Sequence, residues 1–209
     1  WGQLLLERGL AQEALEKHKQ ADNIFKNIPS TDVATKRAYN LIRLGIAYRH
    51  MGMPSQSRRM LDKAIDVAGP NLQIQIMRLA NIGALYFYSD THERRRYWRE
   101  AYELAEKGGR EELRIHLALD LANLDILEDQ LEAAAEKLED ALDSASRHGL
   151  ANSLMRAYIL SSALDLLACE PSHAANILAK AEQLAIAYSI DRRAWKIYGN
   201  LATANEFLG

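Results

Sequence analysis

An all-α array of antiparallel helix hairpins is the fold this sequence predicts, and three observations predict it. Ala and Leu supply 63 of the 209 residues while Val occurs only twice, a mixture rich in helix formers and nearly empty of the most favoured strand residue. Turn signals recur at regular intervals, and between them apolar residues follow three-and-four spacing, as in Leu61, Ala64, Ile65 and Ala68. A small residue then returns with a period near 40, at Ala21, Ala64, Ala101, Ala141 and Ala181. Self-similarity at such a period is the mark of a stacked repeat.

Taken in order, the breaks define about eleven helices joined by short loops. Gly9 is the first turn. Ser30-Thr31-Asp32 is placed to cap a helix starting near Val33. Gly52-Met53-Pro54 ends one helix and opens another with Pro in its first turn. Gly69-Pro70 is the next break, and Asp90 with Glu93 three residues later reads as a capping box. Gly108-Gly109 and Gly149 stop two further helices, and Glu170-Pro171-Ser172 restarts the last long one. With no Ser/Gly-rich linker and no shift in composition, residues 1–209 are expected to form a single domain.

The repeat can be aligned residue by residue. Leu44-Gly45-Ile46-Ala47-Tyr48, followed by Gly52, Leu61 and Ala64, matches Ile82-Gly83-Ala84-Leu85-Tyr86, followed by Asp90, Trp98 and Ala101. Later copies end in Leu138 with Ala141 and in Leu178 with Ala181. A second small residue follows four positions on, at Ala68, Ala105, Ala145 and Ala185, so two small residues share one helix face and let a neighbouring helix approach closely. The stretch from Ala38 to Ala68 resembles a tetratricopeptide (TPR) repeat without a gap. Leu44-Gly45 stands at that family's Leu-Gly, Tyr48 at its aromatic, Gly52 at its turn, Ser57 at its small residue, Leu61 at its large apolar residue and Ala64 at its late Ala. The other copies depart from it: Arg94 falls near the small position, and Asp125 and Asp165 replace the aromatic. Repeats near 40 residues resemble the long TPR variants in sensor segments of large bacterial transcriptional and signalling regulators. The resemblance implies a right-handed superhelical solenoid of about five repeats. Both ends read as cut inside a repeat, with Trp1-Gly2 at a Leu-Gly position and Leu201-Ala202 to Gly209 matching the first helix of a sixth copy, so a longer parent is expected.

In that family the first helix of each hairpin lines a concave groove. Carried over, the groove positions are Tyr39, Ile42, Ile46, Arg49 and His50, then Met77, Ala80, Ala84, Phe87 and Tyr88, then His116, Leu119, Asn123, Ile126 and Leu127. The fifth copy contributes Arg156, Ile159, Ala163, Leu166 and Leu167. Such a surface suits an extended peptide or a partner helix, with Arg49, His50 and Arg156 orienting a polar or anionic group. The alternative is that long helices tighten the array and bury these side chains. Ile42 and Ile46 stand where chaperone-tail binders of the family carry Lys and Asn, which argues against that ligand.

Other chemistry finds little support. Net charge is −2 and the pI about 6.3, so no nucleic-acid polycation is expected. The run His92-Glu93-Arg94-Arg95-Arg96-Tyr97-Trp98-Arg99 reads as a helix with Tyr97 and Trp98 in the core and its arginines on a solvated face. The six His residues show no ligand spacing and no metal or other cofactor is expected. Asp120, Asp125, Glu128 and Asp129 read as a solvated face and loop caps, and no nucleophile elbow or phosphate loop occurs, so no catalysis is expected. No apolar run spans a bilayer, and the lone Cys169 suits a reducing, cytoplasmic setting. The expected function is a protein- or peptide-binding module of a larger bacterial regulator. A small-molecule- or signal-peptide-gated sensor and a self-associating scaffold stand as alternatives.

Overall fold

The computed structural model describes residues 2–188 and 194–208, and every regular element among them is an α-helix. The helices are α1 (Gly2–Glu7), α2 (Ala11–Lys26), α3 (Thr31–His50), α4 (Pro54–Ala68), α5 (Leu72–Leu85), α6 (Thr91–Lys107), α7 (Glu111–Leu127), α8 (Leu131–Arg147), α9 (Ala151–Leu167), α10 (Pro171–Ala187) and α11 (Ala194–Leu208). They form two compact units, Trp1–Arg110 and Glu111–Gly209. Within the first, α1 pairs with α2, α3 with α4 and α5 with α6; within the second, α7 pairs with α8 and α9 with α10, and α11 packs on α10. Trp1 and Gly209, which the sequence places at repeat positions, lie outside the described residues.

One device closes most of the turns. The residue after Gly9, Gly52, Gly109, Asp129, Gly149 or Cys169 donates its backbone N–H to the carbonyl five residues back, at 2.8–2.9 Å, as in Met53 to Tyr48 and Glu170 to Asp165. All six residues preceding the donor have φ between 59° and 77°. This is the Schellman closure, in which a left-handed residue lets the chain satisfy a late helix carbonyl. Four of the six are glycine, as the conformation favours; Asp129 and Cys169 adopt it with a Cβ in place, at a cost of roughly 1–2 kcal/mol. Cys169→Gly is therefore expected to stabilise the protein by about 0.5–1 kcal/mol after glycine's extra chain entropy is counted. Thermal denaturation should show the midpoint rising by about 1–4 °C, and a fall would show that the thiol makes a compensating contact.

From α7 to α10 the helices are each 17 residues long and begin at 111, 131, 151 and 171, so the second unit repeats every 20 residues per helix. Of the expected close contacts, Ala64, Ala101, Ala141 and Ala181 have no exposed surface, while Ala21 is half-buried. Ser57 donates its Oγ–H to the Gly45 carbonyl at 2.7 Å, which locks α4 onto α3 through the Gly and the small residue of the repeat. The core of the first unit is built from Leu41, Ile42, Leu44, Leu61, Ile74 and Ile82. In the second, Met155, Ile159, Leu178, Ala181 and Ile197 form a cluster joining α9, α10 and α11.

Capping follows the sequence in part. Asp90 accepts from the Glu93 backbone N–H at 2.9 Å, but the Glu93 carboxylate turns to Arg96 at 2.7 Å instead of reaching back. Ser30 is extended at the start of α3 and makes no side-chain cap, whereas Asn71, unforeseen, caps α5 by accepting from the Ile74 N–H.

Candidate partner-binding face

Within the first unit α3 lies against α5, and within the second α7 lies against α9 and α9 against α11. The first helices of successive hairpins thus make a continuous face inside each unit, and the expected groove residues can be placed on it. They divide by their position along the helix. The middle position points inward: Ile42 and Leu119 have no exposed surface and Ile159 is buried. Ile42 is therefore a core residue of the first unit, a correction to its expected place on an open groove. Its branched side chain fills the space among Leu41, Leu61 and Ile74. Tyr39, Ile46, Met77, Ala80 and Ala84 are half-buried in the first unit, as are His116, Asn123, Ile126 and Ala163 in the second.

Apolar surface emerges at the ends of α5, α7 and α9. Tyr88 is 97% exposed and Phe87 42%, while Leu127 is 63% and Leu167 56% exposed. Phe87 and Tyr88 sit edge to face with centroids 4.7 Å apart, on the turn where α5 stops three residues before Tyr88. Each unit thus carries exposed large hydrophobics at this repeat position.

The expected polar groups behave differently from one another. Arg156 is committed: its guanidinium is ion-paired to Asp120 and donates to the His116 carbonyl, tying α9 to α7. It braces the face, a structural role the sequence did not indicate. His50 is exposed at the end of α3, and partial desolvation, with the Arg49 charge adding to it, lowers its imidazole below the ordinary range. Burial likewise lowers His18, against the hydrogen bond with Asn40, whose Oδ1 lies 2.7 Å from His18 Nδ1.

Two charged residues are placed where the sequence did not put them. Arg94 is only 4% exposed; its guanidinium stands 4.8 Å from the Phe87 ring centre and 5.5 Å from that of Trp98, and donates to the Phe87 carbonyl. Its long stem occupies the small position of the repeat, and the two ring faces offset part of the cost of burying the charge. Asp125, expected on a solvated face, has no exposed surface and is paired with Lys137 Nζ at 2.8 Å. A feature not foreseen is a shallow cleft of about 490 Å³ between α4, α5 and α6, floored by Ile65, Leu79 and Leu104 and edged by Asp62, Arg78 and Glu100. Arg78 holds Asp62 there at 2.7 Å. One group of possible metal ligands occurs among the described residues, Asp165, Glu170 and His173. No described helix is long and apolar enough to cross a membrane.

Helix hairpins closed by left-handed turns, with small residues at the hairpin contacts, define an all-α repeat array of tetratricopeptide type. Solved structures share the fold. A STAND (signal transduction ATPase with numerous domains) protein with a tetratricopeptide repeat sensor from Pyrococcus horikoshii matches with a TM-score of 0.72 over 97% of this chain, at 16% identity. Aspartyl phosphate phosphatase F from Bacillus subtilis matches with 0.73 over 98%, at 13% identity, and BtubC from P. vanneervenii with 0.73 over 94%, at 11% identity. This chain spans 31% of the first protein, 56% of the second and 87% of the third. No protein-family model and no curated protein matches the sequence.

Proposed function

We propose that this chain is a protein- or peptide-binding module, a partner-docking or sensor segment of a larger bacterial regulator. The observation that carries the reading is exposed apolar surface at the ends of first helices in each unit, Tyr88 in the first and Leu127 and Leu167 in the second, together with half-buried residues of mixed polarity on first helices, Tyr39 and Ile46 in the first unit and Asn123 in the second. Burial of such anchors supplies roughly 25 cal/mol per Å² of apolar surface, and a few aromatic anchors carry most of the energy of a typical interface. Arg49 and His50 would orient polar groups of the partner. The setting in a regulator is supported by the fold shared with the sensor of the Pyrococcus protein. The reading is one of binding, with no catalytic role for these side chains.

The test uses a peptide selected on the full chain from a displayed random library. In the Arg49→Ala/Tyr88→Ala double variant its affinity is expected to fall at least about tenfold, since truncating an aromatic anchor costs on the order of 2 kcal/mol. Far-UV circular dichroism should remain that of the parent, because Tyr88 is solvent-exposed. Unchanged affinity would place the binding surface elsewhere, and lost helicity would make these residues structural.

A further inference from the structure

The turn between α9 and α10 gathers three side chains that a partner-binding role leaves unused. Asp165 stands in the last turn of α9, Glu170 is the residue before α10, and His173 lies in the first turn of α10. One ligand atom from each lies within 4.8 Å of the other two. His173 Nδ1 lies at ion-pair distance, 3.1 Å, from Asp165 Oδ2, on a side chain that is 16% exposed; that oxygen is closed off from water and in no hydrogen bond of good geometry among the described residues, as is Asp125 Oδ2 in the preceding hairpin, which Lys137 nonetheless pairs.

The preceding hairpin shows what the position demands. Asp125 stands 40 residues earlier, at the same place in the repeat, and Lys137 Nζ covers its Oδ2 at 2.8 Å. In α10 the place of that lysine is taken by Ile177, and among the described residues no Lys or Arg pairs with Asp165. A carboxylate oxygen withdrawn from water needs a positive partner, and the group beside Asp165 is the His173 imidazole, a cation only when protonated. The sequence has exchanged the lysine for two new groups that can each bind a cation: Glu170 replaces Gln130, and His173 replaces Ala133.

We propose that Asp165, Glu170 and His173 bind a first-row divalent cation, with zinc as the best fit. Imidazole nitrogen and carboxylate oxygen are both zinc ligands at about 2.0–2.2 Å, so two ligands of a tetrahedral ion stand about 3.3 Å apart. The 3.1 Å between His173 and Asp165 is already close to that edge. Glu170 is exposed and reaches the ion by a change of rotamer. Three protein ligands leave the fourth position to water, and the exposure of Glu170 and His173 gives the ion a way in. The Asp-x₄-Glu-x₂-His spacing straddles a helix–turn–helix junction and matches no common metal motif, which is why the sequence shows no ligand pattern.

Zinc chloride titrated into the full chain by calorimetry is expected to bind at one ion per chain. His173→Gln and Glu170→Gln should each weaken it at least about tenfold, while His148→Gln, on the preceding turn, and Cys169→Ser leave it unchanged. Glu170→Gln separates the metal site from a plain Asp165–His173 ion pair, in which Glu170 has no part. Thermal midpoints of the metal-free variants close to that of the parent establish that they are folded. Absence of saturable binding, or full zinc affinity in either the His173→Gln or the Glu170→Gln protein, overturns the assignment, and loss of binding in Cys169→Ser overturns the ligand set.

Discussion

Replacing Lys137 by Met is expected to destabilise the protein by about 3 kcal/mol, although Lys137 is a partly exposed residue on α8. The cost arises at its partner. The Asp125 side chain is 1% exposed, and Lys137 Nζ lies 2.8 Å from its Oδ2. Methionine keeps the length and apolar stem of lysine, so packing along α8 changes little, but the buried carboxylate loses the cation that lies 2.8 Å from its Oδ2. Removing one member of a buried ion pair costs on the order of 3–5 kcal/mol, and the partial exposure of Lys137 places the effect at the lower end. Such a loss lowers the thermal midpoint by roughly 6–12 °C in a chain of this size. The Asp125→Asn/Lys137→Met double variant removes the stranded charge and should recover most of the deficit. A single variant that melts within a degree or two of the parent would show that Lys137 does not hold Asp125 in the core.

The same pair explains why the fold was more legible in the sequence than the site. Fold information is carried by repetition: Ala64, Ala101, Ala141 and Ala181 recur because close helix contacts recur, and each is fully buried. Left-handed turns are legible where glycine marks them, at Gly52, Gly109 and Gly149, and illegible at Asp129 and Cys169, where another residue adopts the same φ. Groove residues are harder because one helix face holds both kinds of side chain. Ile42 and Ile46 are four residues apart on α3, yet the first is core and the second half-buried, a difference set by the neighbouring hairpin and not by the residue type. Charged residues are the least legible. Arg94 and Asp125 look like solvated residues until the chain folds and supplies, respectively, two aromatic faces and a lysine from the next helix. Arg156 has the same history: it reads as a free cation, but Asp120, 36 residues away, claims it.

Glycine within a helix gives the sharpest test of the repeat contact, because the effect of one substitution should depend on its place in the array. Gly→Ala in a helix interior ordinarily stabilises by about 1 kcal/mol, through lower backbone entropy in the unfolded chain. At Gly199, on α11, a Cβ would meet nothing within 4 Å, so Gly199→Ala is expected to show that gain in full. At Gly83, on α5, the same Cβ would lie 2.6 Å from Trp98 Cδ1, 2.7 Å from its Nε1 and 3.2 Å from Tyr97 Cβ. Trp98 cannot yield easily, since its indole N–H donates to the Ala80 carbonyl at 3.0 Å and the ring is buried beneath α5. Either the indole moves and loses that bond, worth about 1 kcal/mol, or α6 shifts away from α5 at an overpacking cost of roughly 1–3 kcal/mol. The first route roughly cancels the propensity gain and the second exceeds it by up to about 2 kcal/mol, so Gly83→Ala should show no gain or a net loss of up to about 2 kcal/mol. Chemical denaturation of the two variants side by side reads the contrast directly. Two stabilised proteins would mean that α5 and α6 are not in close contact at Gly83, and two destabilised ones that α11 packs more tightly than its open Gly199 face allows.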